Sequence, residues 1–281
     1  MSEQPGWRGA ASRLAGRVAR APASRWLIPV YARLFHTQPA QALAPEGGFA
    51  SLQQFFCRAL RPELRPIAGR PEVLVSPADG LVTACGQAEL GELFQAKGHA
   101  YSLAALLADP HRAGQFAGAS YAAIYLAPAD YHRVHAPAAG CVREARYVPG
   151  SRFSVSPRTA ARVPRLFARN ERLITYLGTA AGDLALVMVG ACLVGGIRVN
   201  YDPAWNAGPG PHLPDRRRYQ PGYAFHRGQE LGRFEFGSTV ILLCSAALES
   251  RLCIRAGARI RMGEPLMACA VPPETAPAQG C

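Results

Sequence analysis

Three short polar segments hold the side chains of this chain that could do chemistry. Asp79 stands in an Asp-Gly turn directly after an apolar run. His132 and His135 stand three positions apart in the second segment, and Ser238 follows a glycine at the start of a strongly apolar run. A serine hydroxyl becomes a nucleophile when a histidine accepts its proton and an acid orients that histidine. Asp79, His135 and Ser238 could supply these three roles.

Each segment taken alone has an ordinary structural interpretation. An Asp-Gly pair after a strand is usually a turn, and a Gly-Ser-Thr sequence is usually a β-turn or a bulge. Two histidines at this spacing could bind a metal, but no third His, Cys or acidic residue stands near them at ligand spacing. Ser238 also lacks the Gly-x-Ser-x-Gly pattern of the α/β hydrolases. We therefore expect no metal site, and a catalytic serine is favoured only when the three segments are taken together.

Short apolar runs between turn residues predict the strands that would position these side chains. The runs with the length and β-branched content of buried strands are 73–75, 121–126, 184–189, 192–194 and 240–244. Helices are predicted over Leu52–Leu60 and over Leu103–Leu107, with Ser102 as a possible cap. Residues 200–222 are rich in loop formers and predict a long surface loop. The expected fold is mainly β (α+β), a β-sheet core of short strands with helices at the N-terminal end.

The first 36 residues differ in composition from the rest of the chain. They contain six arginines, and Glu3 is their single acidic residue. Leu27, Tyr31 and Leu34 recur at helical spacing beside Trp26, and prolines interrupt the pattern, which predicts two or three short helices. A basic amphipathic segment with tryptophan at its edge suits the surface of an anionic bilayer. A solvated helix packed on its own domain and a transit peptide share this pattern, so both alternatives stay open.

Composition narrows the class of protein further. Hydrophobic residues make up 49% and charged residues 18% of the 281 positions, as in an ordinary globular chain. The net charge of +12 favours contact with anionic surfaces, and no run approaches the roughly 18 apolar residues of a spanning helix. Eight cysteines without a Cys-x-x-Cys pair indicate a reducing compartment without structural disulfides. We expect membrane-associating helices in 1–36, a linker in 37–50 and a catalytic domain in 51–281.

Taken together, the motifs resemble the phosphatidylserine decarboxylase proenzymes of the bacterial, membrane-associated type. The resemblance runs from about Phe55 to Met267, and residues 200–222 match poorly. The motifs that carry it are Phe55-Phe56-Cys57-Arg58, Arg65-Pro66-Ile67, Pro77-Ala78-Asp79-Gly80, Gln95-Ala96-Lys97-Gly98-His99, Tyr101-Ser102-Leu103, Tyr131-His132-Arg133-Val134-His135, Leu166-Phe167-Ala168-Arg169-Asn170-Glu171-Arg172, Val189-Gly190-Ala191 and Gly228-Gln229-Glu230-Leu231-Gly232-Arg233-Phe234. The family's cleavage motif is Leu-Gly-Ser-Thr. Here Phe236 replaces the leucine, while Gly237 and Ser238 are kept.

The resemblance implies an enzyme that makes its own cofactor. Ser238 would attack the carbonyl of Gly237, the resulting ester would break by β-elimination, and loss of ammonia would leave a pyruvoyl group derived from Ser238. Asp79, His135 and Ser238 would form the triad for this step. The pyruvoyl ketone would then form a Schiff base with the amine of phosphatidylserine, which is decarboxylated to phosphatidylethanolamine. His135 would donate the proton, and His132 would bind the substrate phosphate or carboxylate.

The same resemblance implies partners and a location. Cleavage would give chains of residues 1–237 and 238–281, which stay associated as a heterodimer because the Val240–Cys244 strand would lie in their common core. That heterodimer could dimerise further. Because the substrate lies in an anionic membrane, the enzyme is expected to be peripheral, on the cytoplasmic side of the cell membrane.

Three alternative functions stay open on the sequence. The same three residues could serve an uncleaved serine hydrolase. A pyruvoyl enzyme could act on a soluble amino acid, although it would not need the basic N-terminal segment. A basic β-domain could bind nucleic acid, but the chain has no aromatic-basic RNA motif and no zinc module, so no nucleic-acid partner is expected.

Overall fold

The computed structural model describes most of the chain in eight stretches. They are residues 16–70, 72–96, 99–180, 182–191, 196–206, 214–235, 238–246 and 250–269. The predicted strand 192–194 and both Phe236 and Gly237 lie outside the described residues, as do the first 15 residues of the predicted N-terminal segment.

The described residues form many short strands and few short helices, which confirms the predicted mainly β, α+β fold. The α-helices are α1 (Ile28–Phe35), α2 (Leu52–Phe56), α3 (Leu103–Leu107), α4 (Pro110–Gln115), α5 (Pro157–Ala160) and α6 (Leu166–Arg169). Residues 16–20 are also helical, and 3-10 turns span Pro22–Leu27, Pro39–Gln41, Pro62–Leu64, Glu89–Gly91 and Pro203–Asn206. The strands are β1 (Ala42–Leu43), β2 (Ala59–Leu60), β3 (Val73–Val75), β4 (Gly80–Gln87), β5 (Glu92–Ala96), β6 (His99–Ser102), β7 (Ser120–Leu126), β8 (Arg133–His135), β9 (Gly140–Val148), β10 (Arg172–Thr179), β11 (Gly182–Gly190), β12 (Ile197–Val199), β13 (Asp215–Phe225), β14 (Glu230–Phe234), β15 (Ser238–Cys244), β16 (Ser250–Leu252), β17 (Arg259–Ile260) and β18 (Pro265–Cys269).

An eight-stranded antiparallel sheet forms the centre of the protein. Its strand order is β13-β9-β10-β11-β15-β7-β4-β17. A second, three-stranded sheet in the order β12-β14-β8 carries the segment with the two histidines. The apolar runs at 73–75, 121–126, 184–189 and 240–244 all lie in strands, as predicted.

Strand β15 lies in the interior of this sheet and is covered on both faces. Val240 and Leu242 pack into one hydrophobic cluster, while Ile241 and Leu243 pack into another on the opposite face. Successive side chains of a strand point to opposite faces. A strand whose two faces are both buried therefore has a continuous run of apolar residues in its sequence. The polar residue at its first position, Ser238, is therefore held in an apolar setting.

Two local predictions are corrected by the structure. The helix predicted over Leu52–Leu60 ends at Phe56, and β2 follows it. The surface loop predicted over residues 200–222 contains most of β13, whose Arg218 pairs in register with Glu144 of β9. The Glu144 carboxylate is buried and forms an ion pair with Arg216 at 2.8 Å. A buried acid on a strand distant in sequence thus stabilises a basic strand that composition alone assigns to a loop.

The predicted helix after Ser102 is confirmed, since the Ser102 hydroxyl accepts a hydrogen bond from the Ala105 amide at 3.2 Å. The N-terminal segment also folds into short helical pieces from residue 16 onward, and α1 ends at His36 in a left-handed conformation. No helix within the described residues has the length and apolar character needed to cross a membrane.

Candidate active site

Ser238 opens β15 at the point where three strands of the central sheet meet. It pairs in register with Leu126 of β7 on one side and with Gly190 of β11 on the other. Its side chain is fully buried, and its Oγ lies 3.4 Å from Nδ1 of His132. A serine oxygen beside an imidazole nitrogen, away from water, is the arrangement from which a nucleophile is generated.

His132 is held in place by packing and by a backbone hydrogen bond. The loop between β7 and β8 carries it, and its ring stacks on Phe56 of α2 with 3.9 Å between ring centroids. Its carbonyl accepts the amide proton of Phe234 at 3.0 Å, which ties the loop to the end of β14. The histidine therefore joins α2, β14 and the first residue of β15 in one cluster.

Burial keeps the His132 imidazole uncharged. It lowers the pKa of His132 to about 3, and the nearby charge of Arg58 adds to the effect, while the carbonyls of Ala127 and Pro128 oppose it. Arg58 is itself buried and donates to the carbonyls of Phe55 and Ala129. The Nε2 atom of His132 makes no hydrogen bond in the described part of the chain.

This shift of the His132 pKa predicts a specific loss of stability in acid. An unfolded chain binds a proton at this residue near pH 6.5, whereas the folded chain does not until about pH 3. The unfolded state therefore binds more protons between these limits, and the free energy of unfolding decreases as the pH is lowered, by up to about 1.4 kcal/mol per pH unit. In urea titrations from pH 7 to pH 4, His132→Asn should flatten this slope, and the exposed His226→Asn should not. An unchanged slope in His132→Asn would refute the prediction.

His135 makes different hydrogen bonds from His132. Its Nδ1–H donates to the Gly228 carbonyl at 2.8 Å, so its Nε2 is the unprotonated nitrogen, and it accepts the Tyr131 hydroxyl at 2.9 Å. Burial lowers the pKa of His135, and this is opposed by the bond to Gly228 and by the charges of Glu230 and Asp79. His135 is thus held in the tautomer whose acceptor nitrogen is Nε2, and that nitrogen is occupied by the Tyr131 hydroxyl.

Asp79 is a buried carboxylate that is fully partnered. Arg65 forms a two-point ion pair with it, in which Nε lies 2.8 Å from Oδ1, and the Met262 amide donates to Oδ1 at 2.9 Å. The next residue, Gly80, is required at its position, because a Cβ there would lie 2.3 Å from the Tyr125 carbonyl oxygen. Close approach of β4 to β7 at this glycine fixes where the Asp79 side chain begins.

The predicted catalytic residues lie in adjoining segments, but no hydrogen bond among the described residues joins their side chains. The His135 amide donates to the Pro77 carbonyl at 2.8 Å, which brings β8 beside the segment that carries Asp79. The hydroxyl of Ser238 faces His132 instead of His135. The roles assigned to Asp79, His135 and Ser238 as a triad, and to His132 in substrate binding, therefore stay predictions.

Sequence reasoning assigned no role to four residues that shape this site: Phe56, Arg58, Arg65 and Tyr131. All four stand inside motifs that carry the family resemblance, so the signal was present. Their roles depend on contacts between distant segments, which spacing along the chain does not reveal.

The Asn170-Glu171-Arg172 motif fixes the backbone next to the site. Asn170 donates to the Gly190 carbonyl at 2.9 Å, and the Gly190 amide donates to the Glu171 carbonyl at the same distance. Arg172 is buried and donates to four backbone carbonyls, among them Leu106 at 2.6 Å. These bonds fix the end of β11 that lies directly opposite Ser238.

Comparison with known proteins assigns this chain to a family. Residues 52–268 match the phosphatidylserine decarboxylase family. The chain belongs to that family. A phosphatidylserine decarboxylase proenzyme of Anaeromyxobacter sp. (strain K) is 45% identical over 259 residues, covering 86% of this chain and 90% of the relative. Proenzymes of the same name from Azotobacter vinelandii and Saccharophagus degradans are 45% and 42% identical, over 84% and 90% of this chain and 85% and 91% of their own lengths.

Membership of the phosphatidylserine decarboxylase family confirms the resemblance and the predicted enzyme class, a carboxy-lyase. The relatives are named proenzymes, which implies processing of a precursor. All the residues described above as the site, from Phe56 to Ser238, fall within the matched range.

Proposed function

We propose that this protein cleaves itself between Gly237 and Ser238 and then decarboxylates phosphatidylserine to phosphatidylethanolamine in phospholipid synthesis. The observation that carries the proposal is the buried Ser238 hydroxyl, 3.4 Å from an imidazole, at the first residue of an interior strand in a chain of this family. A hydroxyl at that position can reach the carbonyl of the residue before it.

Self-cleavage needs a nucleophile and a base. In the proposed step, Ser238 Oγ gives its proton to a base and bonds to the Gly237 carbonyl carbon. The Gly237–Ser238 C–N bond then breaks as the base passes that proton to the departing nitrogen, which leaves an ester and a free amine on Ser238. Removal of the Ser238 α-proton then eliminates Gly237 as a carboxylate. The resulting aminoacrylate takes up water and releases ammonia, which leaves a pyruvoyl group at the new terminus.

His135 is proposed as the base and Asp79 as its acidic partner. The hydrogen bonds to Gly228 and Tyr131 keep His135 in the tautomer whose Nε2 can accept a proton. Burial lowers the pKa of His135, and the negative charge of Asp79 opposes part of that lowering, which favours proton acceptance at Nε2. To act on Ser238, Nε2 must exchange the Tyr131 hydroxyl for the serine hydroxyl.

The surroundings of Ser238 fit a pyruvoyl group. The position is buried, and the Nε2 atom of His132 is a buried polar atom without a hydrogen bond in the described part of the chain. A pyruvoyl group supplies a ketone that binds the substrate amine and withdraws the electrons left by departing CO2. His132 would hold an anionic group of the substrate, and His135 would return a proton to the carbon that has lost CO2.

The N-terminal segment is proposed to bind the membrane that contains the substrate. Trp26, Val30 and Leu34 lie one helical turn apart and are 72%, 63% and 68% exposed. Arg25 stacks on the Trp26 ring, so positive charge lies beside the apolar row. Exposed apolar side chains flanked by arginines suit an anionic bilayer surface, which supports a peripheral location on the cytoplasmic side of the cell membrane.

Acidic substitutions in this row should weaken membrane binding. Fully burying Val30 and Leu34 in lipid is worth roughly 1.5–3 kcal/mol each, so the Val30→Glu/Leu34→Glu variant should lose at least about tenfold in affinity. Sedimentation with phosphatidylserine-containing vesicles measures the effect. A matched control is Leu43→Glu/Phe94→Glu, which changes two exposed apolar residues outside the row. Equal losses in both variants, or in neither, would remove the membrane role of the row.

Intact mass under denaturing conditions tests the proposed processing, and vesicle assays test the activity. The expected result is two chains, the smaller starting at position 238 without a free amine, and conversion of phosphatidylserine to phosphatidylethanolamine with release of CO2. A single chain whose Ser238 reacts with a fluorophosphonate would instead indicate a serine hydrolase. Two chains without lipid turnover would indicate a pyruvoyl enzyme for another amine.

A further inference from the structure

Glu235 is a buried acid just ahead of the proposed cleavage position. It lies two residues before Gly237, and its side chain is only 6% exposed. Its Oε2 accepts the Arg20 guanidinium at 2.8 Å and the Gly196 amide at 3.2 Å, and its Oε1 pairs with Arg198. These charged partners lower the pKa of Glu235 against the opposing effect of burial. The carboxylate is therefore ionised and held from several directions.

Arg20 reaches this carboxylate from the N-terminal segment, 215 positions away in sequence. The same segment contacts the site at two further points. The Ser24 hydroxyl accepts the Leu52 amide at 2.9 Å, at the start of the helix that carries Phe56. The Tyr31 hydroxyl donates to the Pro128 carbonyl at 2.5 Å, in the loop that carries His132. The N-terminal segment thus makes hydrogen bonds to three elements near Ser238: the end of β14, the start of α2 and the loop between β7 and β8.

The Glu235 contacts hold one end of the short segment that contains the proposed scissile bond. The Glu235 amide donates to the Gly196 carbonyl at 3.2 Å, and the Phe234 amide donates to the His132 carbonyl. Ser238 holds the other end through β-sheet pairing on both sides. Two residues lie between these anchors, so the position of Glu235 limits where the Gly237 carbonyl can lie. Intramolecular attack is fast only when the reacting atoms are held in the correct orientation.

We infer that Glu235 is a positioning residue for self-cleavage and that Arg20 makes the N-terminal segment part of the processing apparatus. The inference rests on the proposed cleavage at Gly237–Ser238. It assigns the N-terminal segment a second task besides contact with lipid: its docking on Glu235 sets the rate at which the precursor matures. The residues that carry this task, Arg20 and Glu235, are distinct from the exposed apolar row of Trp26, Val30 and Leu34.

The rate of maturation after cell-free synthesis tests the inference. Samples are quenched over time, and the fraction of uncleaved chain is measured by intact mass. Arg20→Ala and Glu235→Gln should each slow cleavage about tenfold or more, and Arg20→Lys should restore part of the rate because a cation is kept. The double variant should be no slower than the slower single variant, because the two residues act through one contact. Arg17→Ala, an exposed arginine one turn earlier, is the matched control.

The possible outcomes separate the inference from the proposed function. Cleavage of Arg20→Ala at the wild-type rate, or equal slowing in Arg17→Ala, would overturn the inference while leaving self-cleavage intact. A wild-type chain that never cleaves would overturn the proposed function itself. The melting temperature of each precursor, measured on the background Ser238→Ala, distinguishes positioning from folding. A fall in melting temperature that parallels the loss of rate, with no rescue by Arg20→Lys, would assign the pair to stability instead.

Discussion

Replacing Ser238 with alanine should leave a single chain of 30.1 kDa with no decarboxylase activity. The variant lacks the only oxygen that the proposed mechanism uses to attack the Gly237 carbonyl, and it also lacks the atoms from which the pyruvoyl group would form. The loss should therefore be on the order of a thousandfold or more in cleavage rate, as expected for removal of a nucleophile. Intact mass of the purified variant measures it directly.

A second serine, at the opposite end of β15, provides the control. Ser245 directly follows β15 and is buried like Ser238, so Ser245→Ala removes a buried hydroxyl at the other end of the strand. It should mature into chains 1–237 and 238–281 and turn over lipid. Normal cleavage of Ser238→Ala would eliminate Ser238 as the nucleophile, whatever the control does.

The two histidines should fail in different ways when each is replaced by alanine. His135→Ala should remain a single chain, whereas His132→Ala should mature but bind substrate at least about tenfold more weakly, with a raised KM. The electrostatics of the site support this division. A pKa of about 3 makes His132 a weak proton acceptor at pH 7, although it lies beside Ser238. At His135 the acids Glu230 and Asp79 act against the effect of burial.

Two measurements on the same preparations decide between the histidines. Intact mass gives the fraction cleaved, and initial rates with phosphatidylserine vesicles, normalised to the cleaved fraction, give KM and kcat. The reverse pattern, with His132→Ala uncleaved and His135→Ala processed, would make His132 the base and follow directly from its 3.4 Å contact with Ser238. The exposed histidine variant His226→Asn should behave like the wild type in both measurements.

Elements buried on both faces were predictable from sequence, because burial leaves a continuous apolar signature. The runs at 73–75, 121–126, 184–189 and 240–244 are of this kind, and each became a strand. Strand β13 has the opposite character, since its Arg216 and Arg218 pair with Glu144 on a strand some seventy positions earlier. A local window contains only half of that interaction, so it assigns the segment to a loop.

The site shows the same division between local and distant information. Residue types at Asp79, His132, His135 and Ser238 indicated which groups could react, and the roles assigned to them stay predictions. Their partners were not predictable, because Arg65 reaches Asp79 from a preceding turn and Phe56 stacks on His132 from a separate helix. Which histidine faces the serine depends on how the loop before β8 enters the second sheet, and spacing alone does not fix this.

Strand β15 has a neighbour on each side along its whole length, and this determines how a cleaved molecule would come apart. Residues 238–244 pair with β11 and with β7, so releasing them would break two ladders of hydrogen bonds and open both hydrophobic clusters together. Because unfolding then separates the two chains, the nicked molecule should melt at a temperature that rises with its concentration. Mixed preparations of two isotopically labelled enzymes should not exchange their small chains under native conditions.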